Sequence, residues 1–342
     1  MKRKISLLIV LLAFSFAQQE VYSQNKIDQK GKKQGYWSKS DKNGNKIYEG
    51  NFKDDCEDGL FTHYYEDGKT IKSKTEYKNK GSFATVKFFN KEGGLISEGF
   101  YANKKKDSLW TLYDSKGNKI AEERYTKGLK NGESNYWDRD KVLIETITYK
   151  NDIKNGLFFK NTYSRGYFYC NFKDGKRDGV YEDFYYFNKI KIKGLYRDDK
   201  MEGSWKYFDS IGNCVKTQLW EKDVLKSEKV RLDFGRGDTM VETKDIAFFY
   251  QTGKRLKIVL FNANEISCIN NVDELFDLLG LDNFIQLNGK MQFFANLKAL
   301  KGIGDKVGED YIILLEPKTQ LKVITDKESR KAMELFFQKQ EF

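Results

Sequence analysis

A short phrase ending in glycine or serine recurs through residues 31–226, and an aromatic cluster follows it each time. The closing residues of the phrase are Gly35, Gly59, Ser82, Ser108, Gly132, Gly156, Gly179 and Gly203. They lie 24, 23, 26, 24, 24, 23 and 24 residues apart. So regular a period indicates a repeat architecture, in which every unit is one small supersecondary element that is stabilised by its neighbours.

The order of residues within a unit predicts two strands joined by a tight turn. In most units one aromatic residue stands two positions after the closing residue, and another stands about seventeen positions after it. A second glycine often lies between them, in phrases such as DKNGNK and DSKGNK. Aromatic residues favour strands, whereas glycine, asparagine and aspartate favour turns. Each unit is therefore predicted to be a β-hairpin.

Stacked hairpins predict a mainly β fold, an elongated antiparallel sheet of about eight repeats followed by a small α+β domain. With strands about 4.8 Å apart, such a ribbon would be on the order of 75 Å long. We assign the closing glycines to the turns between units, where a left-handed backbone favours glycine. These structural turn glycines are Gly35, Gly59, Gly132, Gly156, Gly179 and Gly203.

Two stretches carry the resemblance of this pattern to a known family. YTKGLKNGESNYWD (residues 125–138) and YRDDKMEGSWKYFDSIGNC (residues 196–214) share a tyrosine, a closing glycine, an aromatic cluster and a turn. This pattern resembles the bacterial variant of the MORN repeat, whose proteins are often labelled YwqK-family antitoxins. The resemblance implies protein association, scaffolding or lipid contact, without shared catalytic residues. Residues 82–107 form a longer unit, and Lys141 and Asn188 replace the mid-turn glycine.

The first residues predict a secretory signal peptide over residues 1–23. Lys2, Arg3 and Lys4 precede an apolar stretch of residues 5–16, and small residues follow. The apolar stretch is short for a membrane span, which needs about 20 residues. We expect an exported protein, located in the periplasm, at the cell envelope or outside the cell.

The period stops near residue 226, and residues 227–342 predict a separate α+β domain. Hairpin turns are expected at Thr252–Gly253 and at Asn288–Gly289, with a helix after Asn271 and a last helix near residues 327–339. The glycine-rich stretch GIGDKVG, residues 302–308, lacks the spacing of a phosphate-binding motif, so we interpret it as a loop.

Little in the composition indicates catalysis. His63 is the sole histidine and lies in a repeat strand, so we expect a structural role. The cysteines Cys56, Cys170, Cys214 and Cys268 have no metal-ligand spacing, and we expect buried thiols or at most one disulfide. The acidic residues 54–58 lack the spacing of a calcium loop. We predict a non-enzymatic protein with no cofactor and no metal.

The aromatic residues offer the best candidate for a binding surface. The whole chain has 26 Phe, 21 Tyr and 5 Trp, and the repeats contain more rings than a thin sheet can bury. A partly exposed aromatic stripe is predicted from Trp110, Tyr113, Tyr136, Trp137, Tyr185, Tyr186, Trp205 and Tyr207. The alternative is that these rings form cross-strand ladders that hold the sheet together.

The expected partner is a protein. The formal net charge is +11, but basic and acidic residues alternate, so no nucleic-acid partner is expected. Envelope lipid is the second candidate partner. Two further hypotheses stay open: an antitoxin role like that of the YwqK family, and a carboxylate-based enzyme in the C-terminal domain.

Overall fold

The computed structural model describes residues 24–279, 283–287, 292–307, 310–319, 323–325 and 327–338. The chain forms two compact units, residues 1–130 and 131–342. The predicted signal peptide and the predicted turn at Asn288–Gly289 lie outside the described residues.

The described part of the first unit is an antiparallel sheet in which each strand pairs with the next one in sequence. Its strands are β1 (Lys26–Ile27), β2 (Lys33–Ser40), β3 (Lys46–Lys53), β4 (Cys56–Tyr64), β5 (Ile71–Lys78), β6 (Phe83–Phe89), β7 (Leu95–Ala102), β8 (Lys105–Tyr113), β9 (Lys119–Thr126) and β10 (Leu129–Lys130). The alternation of aromatic and polar residues in the sequence accounts for these strands, because successive side chains of a strand point to opposite faces of the sheet.

The second unit begins with the same strand-to-next-strand pairing. These strands are β11 (Gly132–Trp137), β12 (Leu143–Lys150), β13 (Ile153–Asn161), β14 (Tyr167–Lys173), β15 (Lys176–Phe184), β16 (Ile190–Arg197), β17 (Lys200–Phe208), β18 (Cys214–Glu221), β19 (Val224–Asp233) and β20 (Asp238–Glu242). The hairpin pairing therefore continues past residue 226, where the sequence period stops.

Two smaller sheets and two α-helices follow in the described part of the same unit. The first sheet contains β21 (Ile246–Thr252), β22 (Arg255–Leu260), β23 (Glu265–Cys268), β24 (Phe284–Leu287) and β25 (Phe293–Asn296), in the order β23-β22-β21-β25-β24. The second sheet contains β26 (Leu300–Val307), β27 (Asp310–Leu315) and β28 (Ile324–Thr325), and the helices are α1 (Val272–Leu279) and α2 (Lys327–Gln338). The mainly β fold, with antiparallel hairpins followed by a small α+β segment, is confirmed. The predicted loop at residues 302–308 is wrong, because β26 extends to Val307.

The predicted turn glycines have a different place in the fold. Gly35, Gly59, Gly156, Gly179 and Gly203 lie inside strands, and Gly132 begins one. Their prediction as turn residues is wrong.

Bulges explain why glycine suits four of these positions, Gly59, Gly156, Gly179 and Gly203. The pairing shifts by two residues beside Gly59 and beside Gly203, where φ is +72° and +67°. An extra residue in a bulged strand takes the left-handed conformation, which glycine adopts without steric cost. The chain reverses a few residues earlier, for example at Asp198 and Asp199, which both have positive φ, as a type I′ turn requires.

Aromatic rings pack against one another across neighbouring strands of each repeat sheet. In the first unit, Phe61 lies 5.1 Å from Phe52 and 5.4 Å from Tyr77 between ring centroids, in edge-to-face geometry. In the second unit, Tyr181 lies 5.5 Å from Trp205 and 5.7 Å from Phe168. These ladders give each hairpin a buried contact with its neighbour.

Candidate functional site

Each hairpin repeat has a tip, the short turn that joins its two strands. The phrase DSKGN forms one such tip in the first unit. Asp114 Oδ1 accepts hydrogen bonds from the backbone N–H groups of Lys116 at 2.8 Å and Asn118 at 2.9 Å. The side-chain amide of Asn118 also donates to Oδ2 at 3.1 Å, and this bond, together with the backbone bonds, holds the pKa of Asp114 below its usual value. The tip backbone is thus fixed by its first and last residues, which leaves the middle residues free to face solvent.

The middle residues of the tips change in character along the chain. In the first unit they are polar or charged and exposed: Lys42, Asn43, Glu66, Asp67, Lys91, Glu92, Ser115 and Lys116. In the second unit three tips instead carry large apolar residues. The exposed fractions are 56% for Tyr163, 65% for Tyr186, 82% for Phe187 and 76% for Ile211. Exposed rings and aliphatic chains at turns contribute nothing to the buried ladders, so they indicate an interaction surface.

Two of these tips, together with Val142 of the preceding tip, form a groove of about 800 Å³. We call it the tip groove, and it is lined by Val142, Asn161, Tyr163, Gly166, Tyr167, Tyr186, Phe187 and Asn188. The rings of Tyr186 and Phe187 lie 5.3 Å apart in edge-to-face geometry. The side chain of Asn161 accepts a hydrogen bond from the N–H of Tyr163 at 2.8 Å, and Tyr167 Oη donates to Asn188 Oδ1 at 3.0 Å. These hydrogen bonds fix both tips.

Gly166 allows the tip that carries Tyr163 to fold. A Cβ on Gly166 would lie 1.8 Å from the carbonyl oxygen of Phe184. The hydroxyl of Thr162 donates to the carbonyl oxygen of Gly166 at 2.8 Å and closes the turn. Tyr163 itself has a φ of +56°, in the left-handed region. This tip holds a tyrosine in an unfavourable backbone conformation and exposes its ring.

A second concave site lies between the last hairpin repeats and α1. This α1 cleft has a volume of about 780 Å³. Its apolar lining includes Tyr185, Ile192, Tyr207, Leu275 and Leu278, and its charged lining consists of Lys191, Asp209, Arg231, Asp233, Glu274 and Asp277. All of these residues belong to the second unit.

The predicted aromatic stripe is divided among different environments. Trp110 and Trp205 are only 2% and 3% exposed, so they cannot belong to an exposed stripe. Each ring instead lies over a glycine of the neighbouring strand, Gly99 and Gly194 respectively. The alternative interpretation, a structural ladder, describes these two residues.

The other six predicted residues are not alike. Tyr113, Tyr136, Trp137, Tyr185 and Tyr207 are half-buried, and Tyr186 is exposed. Tyr113 Oη donates to Glu98 at 2.7 Å, which raises the pKa of Tyr113 to about 12. Tyr185 and Tyr207 line the α1 cleft, whereas Tyr186 lines the tip groove.

Sequence reasoning did not find Tyr163, Phe187 or Ile211. The available signal was their alignment with the polar middle residues of earlier tips, since each stands in the phrase that elsewhere reads KNG or SKG.

The residues considered for catalysis lie in structural positions. His63 is half-buried beside Tyr48 and Phe61, and burial lowers the pKa of its imidazole. Cys56, Cys170, Cys214 and Cys268 are free thiols. Among the described residues, no group of three or more His, Cys, Asp or Glu side chains is placed to hold a metal ion. The same residues include no helix that is long and apolar enough to cross a membrane.

Comparison with known proteins adds two weak structural likenesses. No protein-family profile and no curated protein matches the sequence. The chain is similar to a LytTr DNA-binding domain of a putative methyl-accepting/DNA response regulator from Bacillus cereus. That match has 18% identity and a TM-score of 0.25, and covers 33% of this chain and 95% of that domain. It is also similar to a TcdB2-TccC3-Cdc42 structure, with 12% identity, a TM-score of 0.17, and coverage of 68% of this chain and 15% of that one. At these TM-scores neither likeness supports a functional argument.

Proposed function

We propose that this chain is an exported, non-enzymatic interaction protein whose MORN-like hairpins hold a protein partner at the tip groove. The observation that carries the proposal is the exposure of Tyr163, Tyr186 and Phe187 on adjacent tips. Tyrosine and other large rings are enriched among residues that dominate protein interfaces, since they bury a large area with few rotatable bonds.

Charge around the groove restricts the partner further. Lys141, Arg165 and Lys189 belong to the tips that form the groove, and all three are exposed. Asp138 is half-buried, its Oδ1 accepts hydrogen bonds from the N–H groups of Asp140 and Val142, and its carboxylate also interacts with the side chain of Tyr163. The groove therefore suits a partner segment with apolar side chains and acidic neighbours.

The test is site-specific photocrosslinking in cells that produce the full chain. A benzophenone amino acid at Phe187 is expected to give a discrete protein adduct. The same amino acid at Lys116, a polar tip of the first unit, is the matched control and is expected to give none. Equal adducts at both positions, or none at Phe187, would contradict the proposal.

Contact with a lipid surface is a second candidate, because the same tips place rings beside basic side chains. Tyrosine and basic residues are both common at membrane interfaces. Flotation with vesicles of phosphatidylcholine, with and without phosphatidylglycerol, distinguishes the two candidates. Binding to anionic vesicles that is lost in high salt, together with no protein adduct at Phe187, would favour lipid.

A further inference from the structure

The α1 cleft has firm walls. Asn270 Oδ1 accepts from the N–H of Asp233 at 2.7 Å, and the N–H of Ile269 donates to the carbonyl oxygen of Asp233 at 2.8 Å. These bonds attach the segment before α1 to β19. At the other end of α1, Lys216 Nζ donates to the carbonyl oxygen of Leu278 at 2.9 Å. The helix is therefore held against the sheet at both ends, and the cleft is formed without a ligand.

Hydrophobic packing fixes the same helix from below. Leu275 belongs to a buried core that includes Val230 and Leu232 of β19. All three side chains are almost fully inaccessible to solvent. Truncation of a leucine buried in this way is strongly destabilising, so α1 does not leave the sheet at low cost. A volume of about 780 Å³ falls in the range of small-molecule and side-chain sites.

The floor of the cleft presents carbon surface. Tyr185 Oη donates to the carbonyl oxygen of Phe208 at 2.8 Å, and Tyr207 Oη donates to Gln218 at 2.7 Å. The hydroxyl groups are thus already used. Ile192 and Leu278 complete the lining with aliphatic groups. An apolar part of a ligand would gain binding free energy by contact with this floor.

The charged lining has an excess of carboxylates. Lys191 lies 3.7 Å from Asp183, and Arg231 lies 3.8 Å from Asp233 and also contacts Asp238, so carboxylates already neutralise both lining cations. Asp209 accepts hydrogen bonds from its own turn. On α1, Glu274 and Asp277 stand three residues apart on one helix face, are exposed, and also line the cleft.

We propose that the α1 cleft binds an ammonium or guanidinium group carried on an aliphatic chain. Tyr185, Tyr207 and Leu278 would contact the chain, and Glu274 with Asp277 would pair with the cation. Two sources supply this chemistry, a lysine or arginine side chain of a peptide and a free alkylamine. The site is separate from the tip groove, because Tyr163, Tyr186 and Phe187 do not line it.

Calorimetric titration of the full chain tests the proposal. The probes are hexylamine, the neutral hexanol, a short peptide with one lysine between leucines, and the same peptide with an acetylated lysine. Both cationic probes are expected to bind, and their neutral counterparts are expected to bind about tenfold more weakly, because they cannot form a charge pair with Glu274 and Asp277. A peptide that binds more tightly than hexylamine identifies a polypeptide side chain as the source, and the reverse order identifies a free amine.

Variants of α1 complete the test. The double variant E274Q/D277N should weaken binding of the cationic probes about tenfold. The control D273N removes the same charge from the same helix at a residue that does not line the cleft, and should leave binding unchanged. If the double variant does not fold, D277N alone provides the test. Equal binding of hexanol, unchanged binding by E274Q/D277N, or no saturable binding of either cationic probe would overturn the proposal.

Discussion

The indole of Trp205 lies directly over Gly194 of the neighbouring strand. A Cβ on Gly194 would lie 2.1 Å from Cδ2 of Trp205, closer than any real contact. The indole Nε1 donates to the carbonyl oxygen of Leu195 at 3.2 Å. In the first unit, Trp110 has the same relationship to Gly99, with its Nε1 donating to Phe100 at 3.1 Å. The glycine thus provides the flat surface on which the largest ring of the repeat packs.

Replacement of this glycine is expected to destabilise the second unit. Gly194→Ala forces the Trp205 ring off its position, and overpacking of this kind costs about 1–3 kcal/mol. Urea denaturation measures the loss. Gly237→Ala is the matched control, because a Cβ there meets no atom within 4 Å and the backbone φ is not left-handed. Equal stability of the two variants would show that the ring does not depend on the glycine.

Two reciprocal substitutions at the bulge position are expected to have opposite effects on stability. Ser108 occupies it in the first unit with φ of +60°, and Gly203 occupies it in the second unit with φ of +67°. A left-handed backbone costs a residue with a Cβ about 1–2 kcal/mol. We expect Ser108→Gly to stabilise the protein and Gly203→Ser to destabilise it, each by about 1 kcal/mol. Open space around Gly203 removes steric clash as another explanation. Thermal denaturation that shifts both variants in the same direction would refute this account.

A carboxylate on the first unit predicts acid sensitivity. Glu49 accepts hydrogen bonds from Tyr64 Oη at 2.5 Å, Tyr36 Oη at 2.8 Å and Lys46 Nζ at 2.6 Å. The bonds from Lys46 and Tyr64 contribute most to lowering the pKa of Glu49 to about 2. Because this pKa is lower in the folded state, the ionised carboxylate stabilises the fold above the ordinary pKa of 4.5. That contribution is lost as the pH falls from there towards 2.

Glu49→Gln should therefore cost about 1–2 kcal/mol at neutral pH, with a smaller difference from the natural protein at pH near 2. We expect no larger loss, because the Glu49 side chain is 25% exposed and water screens its charge. Glu76→Gln is the control, since its 3.6 Å contact with Lys78 is highly exposed and contributes little. Denaturation curves at several pH values distinguish the two variants. A constant deficit for Glu49→Gln across the whole range would contradict the assignment.

The tips are expected to affect binding without affecting stability. Phe187 is 82% exposed, so Phe187→Ser should change the free energy of unfolding by less than about 0.5 kcal/mol. The same variant should lose binding to the partner that crosslinking identifies, as measured by pull-down with the full chain. Gly166→Ala provides the contrast, because the steric clash with the Phe184 carbonyl should reduce both stability and capture. A large loss of stability in Phe187→Ser would mean that the ring supports the fold.

The period, the hairpins and the alternation of faces could be predicted from sequence because glycine and aromatic spacing is a local property. The detailed role of the glycines could not. Asp198 and Asp199 form the turn with a left-handed backbone, although neither is glycine. Because glycine is the usual residue in such a turn, the sequence predicts the turn at Gly203 instead. The stacking of Trp205 on Gly194 has a signal in the sequence, because the two residues lie eleven positions apart. A search for turn residues does not detect this spacing.

The two candidate sites could also not be predicted from local sequence patterns. Tyr185, Tyr186 and Phe187 are consecutive aromatic residues, and only the register of the turn places the first in a cleft and the other two on a tip. The α1 cleft also depends on contacts between residues far apart in sequence, such as Lys216 and Leu278. Local patterns carry no information about such pairings, which arise from the packing of α1 on β19.

The exposed tip residues Tyr163, Tyr186 and Phe187 are separate from the buried rings Trp110 and Trp205, which allows recognition and folding to change independently. In the tip between β8 and β9, the residue that fixes the backbone, Asp114, differs from the residue that faces solvent, Lys116. An exchange at the middle of a tip leaves the Trp–Gly stacks untouched. Proteins that share this glycine and aromatic period can therefore bind unrelated partners while their hairpins stay superimposable. A shared period does not imply a shared partner.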